Sequence, residues 1–174
     1  MFKKPKTENV IFIIYSILLV WVVIFKTSFS IGEFLFLAGQ RSVNLIPFSF
    51  LEESTKLQLK ETVLNFFAFI PLGIYLPMIK VSAKRTILYS AGLSLIFEIL
   101  QFIFAIGICD VTDLITNTVG ACIGTCIYFI LIKLFPAEKV HRAIKRISIF
   151  LLSAFFILLL LLIIANFPTQ PTVC

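Results

Sequence analysis

The sequence predicts an all-α integral membrane protein: a helical bundle of about five transmembrane helices, with an outer interfacial loop between the first and second. Three observations predict it. First, 60% of the 174 residues are hydrophobic and only 14% are charged, with a mean hydropathy of +1.07. Soluble domains carry about 45–50% apolar and about 25% charged residues, and a domain of this size still exposes roughly 30% of its unfolded surface. A water-soluble particle could not hide the excess. Second, five apolar stretches approach the ~20 residues that a helix needs to cross ~30 Å of hydrocarbon. Third, the basic residues collect in alternate gaps between those stretches. Together these observations exclude an ordinary cytosolic enzyme, a disordered chain and a secreted disulfide scaffold.

The stretches are Asn9–Phe25, Thr62–Ile79, Thr86–Ile106, Leu114–Ile132 and Ile147–Phe167, and Glu98 is the only charge inside any of them. Eleven of the 15 Lys and Arg lie before the first span, between the second and third, and between the fourth and fifth; Lys26, Arg41, Lys56 and Lys60 lie on the other side. The positive-inside rule therefore predicts a multi-pass membrane protein with its N-terminus cytoplasmic and its C-terminus outside. The net charge of +6 reports this topology and not a nucleic-acid partner. The first span reads as an uncleaved anchor: its apolar run is too long for a signal peptide, and no small-x-small site follows promptly.

The outer connection 26–61 holds Ile31–Leu37, too short to span and suited to the interface. Pro47 lacks an N–H and holds Ile46 extended, which predicts a turn at Asn44–Phe48. Leu51–Lys60 reads as a short surface helix leading into the second span. Pro71 and Pro77 predict a kink in that span. The cysteines Cys109, Cys122, Cys126 and Cys174 form no Cys-x-x-Cys pair and read as small packing residues; a Cys109–Cys174 bridge has no positive support. His141, the single histidine, sits among basic residues and reads as facing solvent or headgroups.

With this topology every uncommon polar residue falls near the outer end of its span. Asn65 lies one turn into the second span, Glu98 and Gln101 in the outer half of the third, and Asp110, Asp113 and Asn117 at the entry of the fourth; Arg41 and Asn44 belong to the outer loop. At about 100° per residue, Asp110, Asp113, Asn117, Gly120 and Gly124 share an arc of ~80°. Gly120-x-x-x-Gly124 reads as a close helix-packing site. Asp110 and Asp113 fit a helix cap as well as a site, and Asn65 and Gln101 fit interhelical hydrogen bonding as well as ligand binding. A carboxylate within a span is a functional-site candidate by default, which singles out Glu98. Arg41 is the nominated partner of either Glu98 or one aspartate. The acids suit a divalent cation such as magnesium, though no metal set is assigned.

Arg41-x-x-Asn44-Leu45-Ile46-Pro47-Phe48, Asn65-x-x-x-x-Ile70-Pro71-Leu72-Gly73, Glu98-x-x-Gln101 and Asp110-x-x-Asp113-x-x-x-Asn117-x-x-Gly120-x-x-x-Gly124, in that order, resemble the VanZ-like family of bacterial membrane proteins. The resemblance runs from about residue 41 to about 132, leaving spans 9–25 and 147–167 as additions within a single membrane domain 1–174. One departure is visible: the family often has an arginine shortly before the first aspartate, and Gly107-Ile108-Cys109 offers none. The resemblance implies association with teicoplanin and lipoglycopeptide resistance. Three functions compete: an envelope protein binding a lipid-linked cell-wall precursor or lipoglycopeptide at the outer cluster; a membrane-embedded enzyme acting on a lipid-phosphate or polyprenyl substrate; and a small transporter, which the absence of an inverted repeat disfavours.

Overall fold

The structure, a computed structural model, describes residues 7–24, 40–49 and 56–165. Among the described residues five helices make the bundle: α1 (Thr7–Ile24), α2 (Lys56–Met78), α3 (Ala83–Phe104), α4 (Val111–Leu134) and α5 (Ala137–Ala165). All but α1 are long and apolar enough to cross a membrane; the apolar part of α1, Asn9–Val23, is shorter. The chain is a helical membrane protein, as its composition requires. Ile31–Leu37, Leu51–Thr55 and Cys174 lie outside the described residues.

Two elements differ from the sequence reading. Lys56–Lys60 is not a separate surface helix but the start of α2, because nothing in Leu57-Gln58-Leu59 interrupts helical geometry before Thr62. The short links at 40–44 and 106–110 are not plain loops. They are strands β1 (Gln40–Asn44) and β2 (Ile106–Asp110), paired in parallel with Arg41 opposite Gly107 and Asn44 opposite Asp110. A parallel pair needs a long crossover, and here the α2–α3 hairpin supplies it. Pro71 and Pro77 both stay inside α2. The turn predicted around Pro47 is present, with Phe48 left-handed at φ 58°.

The α2–α4 contact is the tightest in the bundle. A Cβ added to Gly73 would collide with the Ala121 carbonyl, one on Gly120 with the Phe66 carbonyl, and one on Gly124 with the Ile70 carbonyl. The glycine stripe of α4 therefore meets α2, and Gly73 answers it from the other side. Thr125 closes the seam, its hydroxyl within 3.2 Å of the Gly73 carbonyl and 2.8 Å of the Ala121 carbonyl. Around this seam Leu19, Val23, Phe69, Leu72, Leu76, Phe97 and Ala121 form one apolar cluster. α1 is thus part of the core, pinned further by the Tyr15 hydroxyl donating to the Ala68 carbonyl at 2.6 Å.

The buried face of α3 is largely polar. Thr86, Ser90, Ser94, Glu98 and Gln101 are all buried, beside Phe97. Large apolar side chains such as Leu88, Leu95, Ile99 and Ile103 point outward. Polarity inside and hydrocarbon outside is the arrangement that lipid solvent favours, because interhelical hydrogen bonds and close backbones hold such bundles together.

Candidate functional site

The start of α4 gathers the site. Asp110 is its N-cap, with extended backbone and a carboxylate oxygen accepting from the Thr112 amide at 2.7 Å. This satisfies one of the amides that a helix start leaves unpaired, and the positive end of the macrodipole favours the charge. The capping reading of Asp110 is therefore correct as far as it goes. Its other oxygen accepts from Asn44 Nδ2 at 3.1 Å, and its own amide donates to Glu98 Oε2 at 2.8 Å. One residue ties α3, α4 and β1 together.

Asp113 lies one turn deeper and is 4% exposed. Its carboxylate accepts from Asn65 Nδ2 at 3.1 Å and from the Thr62 hydroxyl at 3.3 Å, both on α2. Glu98 is 1% exposed. A buried carboxylate is expensive unless it is hydrogen-bonded, and both accept hydrogen bonds: Asp113 from a side-chain amide and a hydroxyl, Glu98 from the Asp110 backbone N–H. Each of the three acids thus accepts at least one hydrogen bond that fixes it in place. Among the described residues no three His, Cys, Asp or Glu side chains come together in a way that could hold a metal ion.

The turn after β1 covers this network. Asn44 Oδ1 accepts from the Ile46 amide at 3.1 Å, Asn44 Nδ2 also donates to the Ser49 hydroxyl at 2.6 Å, and the Phe48 amide donates to the Thr112 hydroxyl at 3.0 Å. Held this way, the turn leaves Leu45 and Ile46 74% and 67% exposed. Beneath it, Ala105 ends α3 in a left-handed conformation at φ 53° and turns the chain directly into β2. Burial pushes the Cys109 thiol up from its ordinary range, and the Glu98 and Asp110 carboxylates add to the shift.

Of the residues singled out by sequence, Asn44, Asn65, Glu98, Asp110 and Asp113 meet in this network. Gln101 turns toward α1, where Nε2 donates to the Val23 carbonyl at 2.8 Å. Asn117 lies deeper and donates to the Ser94 hydroxyl at 2.9 Å. The side-chain oxygens of Gln101 and Asn117 are buried and have no hydrogen-bond donor among the described residues. Arg41 sits in β1 by its backbone, but its side chain, and so its nominated pairing, lies outside the described residues. Sequence reading missed Ser49, Thr62, Ser94 and Thr112. Ser and Thr are common in membrane helices, and only the spacings Thr62–Asn65 and Ser94–Glu98 hinted at a shared face.

The family model for VanZ/LLP1 matches residues 12–133. The chain belongs to the VanZ/LLP1 family. It is also 38% identical over 141 residues to Protein VanZ of Enterococcus faecium, covering 80% of this chain and 84% of that relative. No solved structure matches. The VanZ/LLP1 match begins inside α1 and ends at the close of α4, so it takes in the apolar cluster, the glycine seam and the whole polar network. α5 lies beyond it.

Proposed function

We propose that this VanZ-like protein belongs to the bacterial cell envelope and contributes to teicoplanin and lipoglycopeptide resistance by binding a lipid-linked or glycopeptide ligand at the polar network. The observation that carries this reading is the network itself. Asn44, Asn65, Glu98, Asp110 and Asp113 come from five elements to one end of the bundle, beneath an exposed apolar turn. Carboxylate and amide oxygens are acceptors, and they suit the hydroxyl and N–H groups of a sugar or peptide. Leu45 and Ile46 offer an adjoining surface for an acyl or polyprenyl chain. The positive-inside count assigns this end to the outer face, where such ligands are met. The name of the enterococcal relative supports the same reading.

The reading is tested by expressing the protein in a susceptible host and measuring the teicoplanin concentration that stops growth. Glu98→Gln, Asp110→Asn and Asp113→Asn, made singly, are expected to abolish protection while leaving membrane levels near normal. Full protection by all three variants, or failure of all three to accumulate, would mean that the network is structural. Orientation is tested in the same host: reporter fusions after Ala83 and Ala137 should read as cytoplasmic and one at Ser54 as external, and a cytoplasmic reading at Ser54 would sink the topology.

A further inference from the structure

At the other end of α4 from the polar network, α5 stands off from the bundle. Between it and α1 and α2 runs an apolar slot of about 260 Å³, walled by residues that include Ile11, Leu18, Ala68, Tyr75, Leu152 and Phe155. Ser148 also lines the slot, and one helical turn before it lies a second cavity of about 330 Å³, lined by Glu138, His141, Arg142 and Lys145. The two follow one another along one face of α5, where Glu138, His141, Arg142 and Lys145 are continued at helical spacing by Ser148, Leu152 and Phe155. Ile11 and Tyr75 of the slot cluster with Tyr128, and Ile144 and Leu152 pack against that cluster. Tyr128 in turn stacks on His141, its hydroxyl 3.1 Å from Nε2.

We propose that this composite cavity binds an anionic phospholipid, the phosphate held by Arg142, Lys145 and His141 and one acyl chain lying in the slot. Charge complementarity selects the occupant. α5 carries Lys139, Arg142, Lys145 and Arg146 against a single acid, Glu138, and basic pockets at the ends of membrane helices hold anionic headgroups. Arg142 Nε donates to the Glu138 carbonyl at 3.3 Å, which leaves the other guanidinium donors for a phosphate. A zwitterionic lipid would bring its own ammonium group against the same cations. The geometry fits as well: from Lys145 to Phe155 the helix rises about 15 Å, so a chain in the slot runs from the charged end toward the middle of the bilayer. This site is independent of the polar network and of the function proposed for it.

The chain contains a single tryptophan, Trp21, whose ring lies 6.2 Å from that of Phe155 on the slot wall. It reports on the slot through that contact with Phe155. The full-length protein would be placed in phosphatidylcholine vesicles in which a small fraction of the lipid is brominated on its acyl chains. Brominated phosphatidylglycerol is expected to quench Trp21 several-fold more than the same fraction of brominated phosphatidylcholine, and R142Q/K145Q should erase the difference. Equal quenching by the two lipids in the unmodified protein would mean that any hydrocarbon chain fills the slot and would overturn the proposal, as would an excess that survives in R142Q/K145Q. Should that variant fail to accumulate, a salt titration of the unmodified protein decides. The excess should collapse by about 1 M salt, where the Debye length is only ~3 Å, and an excess unchanged there would overturn the proposal.

Discussion

The α2–α4 seam and α5 are built on opposite plans. α5 is the most apolar of the four long helices, yet it is the least enclosed, with Phe150, Leu151, Ile157, Leu158, Leu160, Leu161 and Ile164 all facing outward. α2 is the least apolar of the four and the most buried. Its contact with α4 is made of glycine, backbone carbonyls and Thr125 rather than large hydrophobes. In water, burial follows hydrophobicity. In hydrocarbon, a leucine gains little by leaving lipid for protein, whereas two backbones in contact gain dispersion, and paired polar groups gain a partner that lipid cannot supply. The difference teaches that the helices at the heart of this protein are recognised by their small and polar residues.

The sharpest way to break that comparison is at the seam. Gly124→Leu should lose most folded protein, since even a Cβ there collides with the Ile70 carbonyl and overpacking costs about 1–3 kcal/mol or more. Yield and thermal aggregation in detergent measure this; an unchanged melting curve would contradict the seam. Next comes the buried pair at the head of the seam. Asn65→Leu removes a donor to the Asp113 carboxylate and should destabilise by about 1–3 kcal/mol. In a double-mutant cycle, Asp113→Leu added to Asn65→Leu should cost less than the sum of the two single changes, and strict additivity would refute the contact.

A smaller effect is expected at Cys109. Its thiol is raised by burial, Glu98 and Asp110, so the reactive thiolate forms only at higher pH than for an ordinary cysteine. Removing the nearby charge with Glu98→Gln should shift the pH profile of Cys109 alkylation downward, measured in a background without the other cysteines; an upward shift would reverse the assignment. The least effect belongs to α5 away from the slot. Leu158→Ala should change stability by no more than about 0.5 kcal/mol, because that side chain is 57% exposed and exchanges one hydrocarbon contact for another. A large loss there would mean that the outward face of α5 is covered by protein.

Much of this architecture was readable in the linear chain, for reasons that lie in the solvent. A bilayer demands long apolar helices, so composition and run length were enough to predict a five-helix bundle. A carboxylate in a span is so costly that Glu98 announced itself, and the spacing of Asp110, Asp113, Asn117, Gly120 and Gly124 placed them on one stripe by helical period alone. The tertiary structure alone decided which groups that stripe meets. Gly73 opposite Ala121, Thr62 beside Asp113 and Ser94 under Asn117 join residues 48, 51 and 23 positions apart. No local period encodes such separations. The same holds for β1 and β2, five-residue strands too short to show an alternating pattern, whose pairing exists only because the α2–α3 hairpin returns the chain to its starting level. It holds again for Gln101, which shares a helix face with Glu98 yet turns to the Val23 carbonyl. Periodicity determines the face from which a side chain projects; the partner it finds depends on which neighbouring helix comes close enough, and here the glycine seam sets that distance.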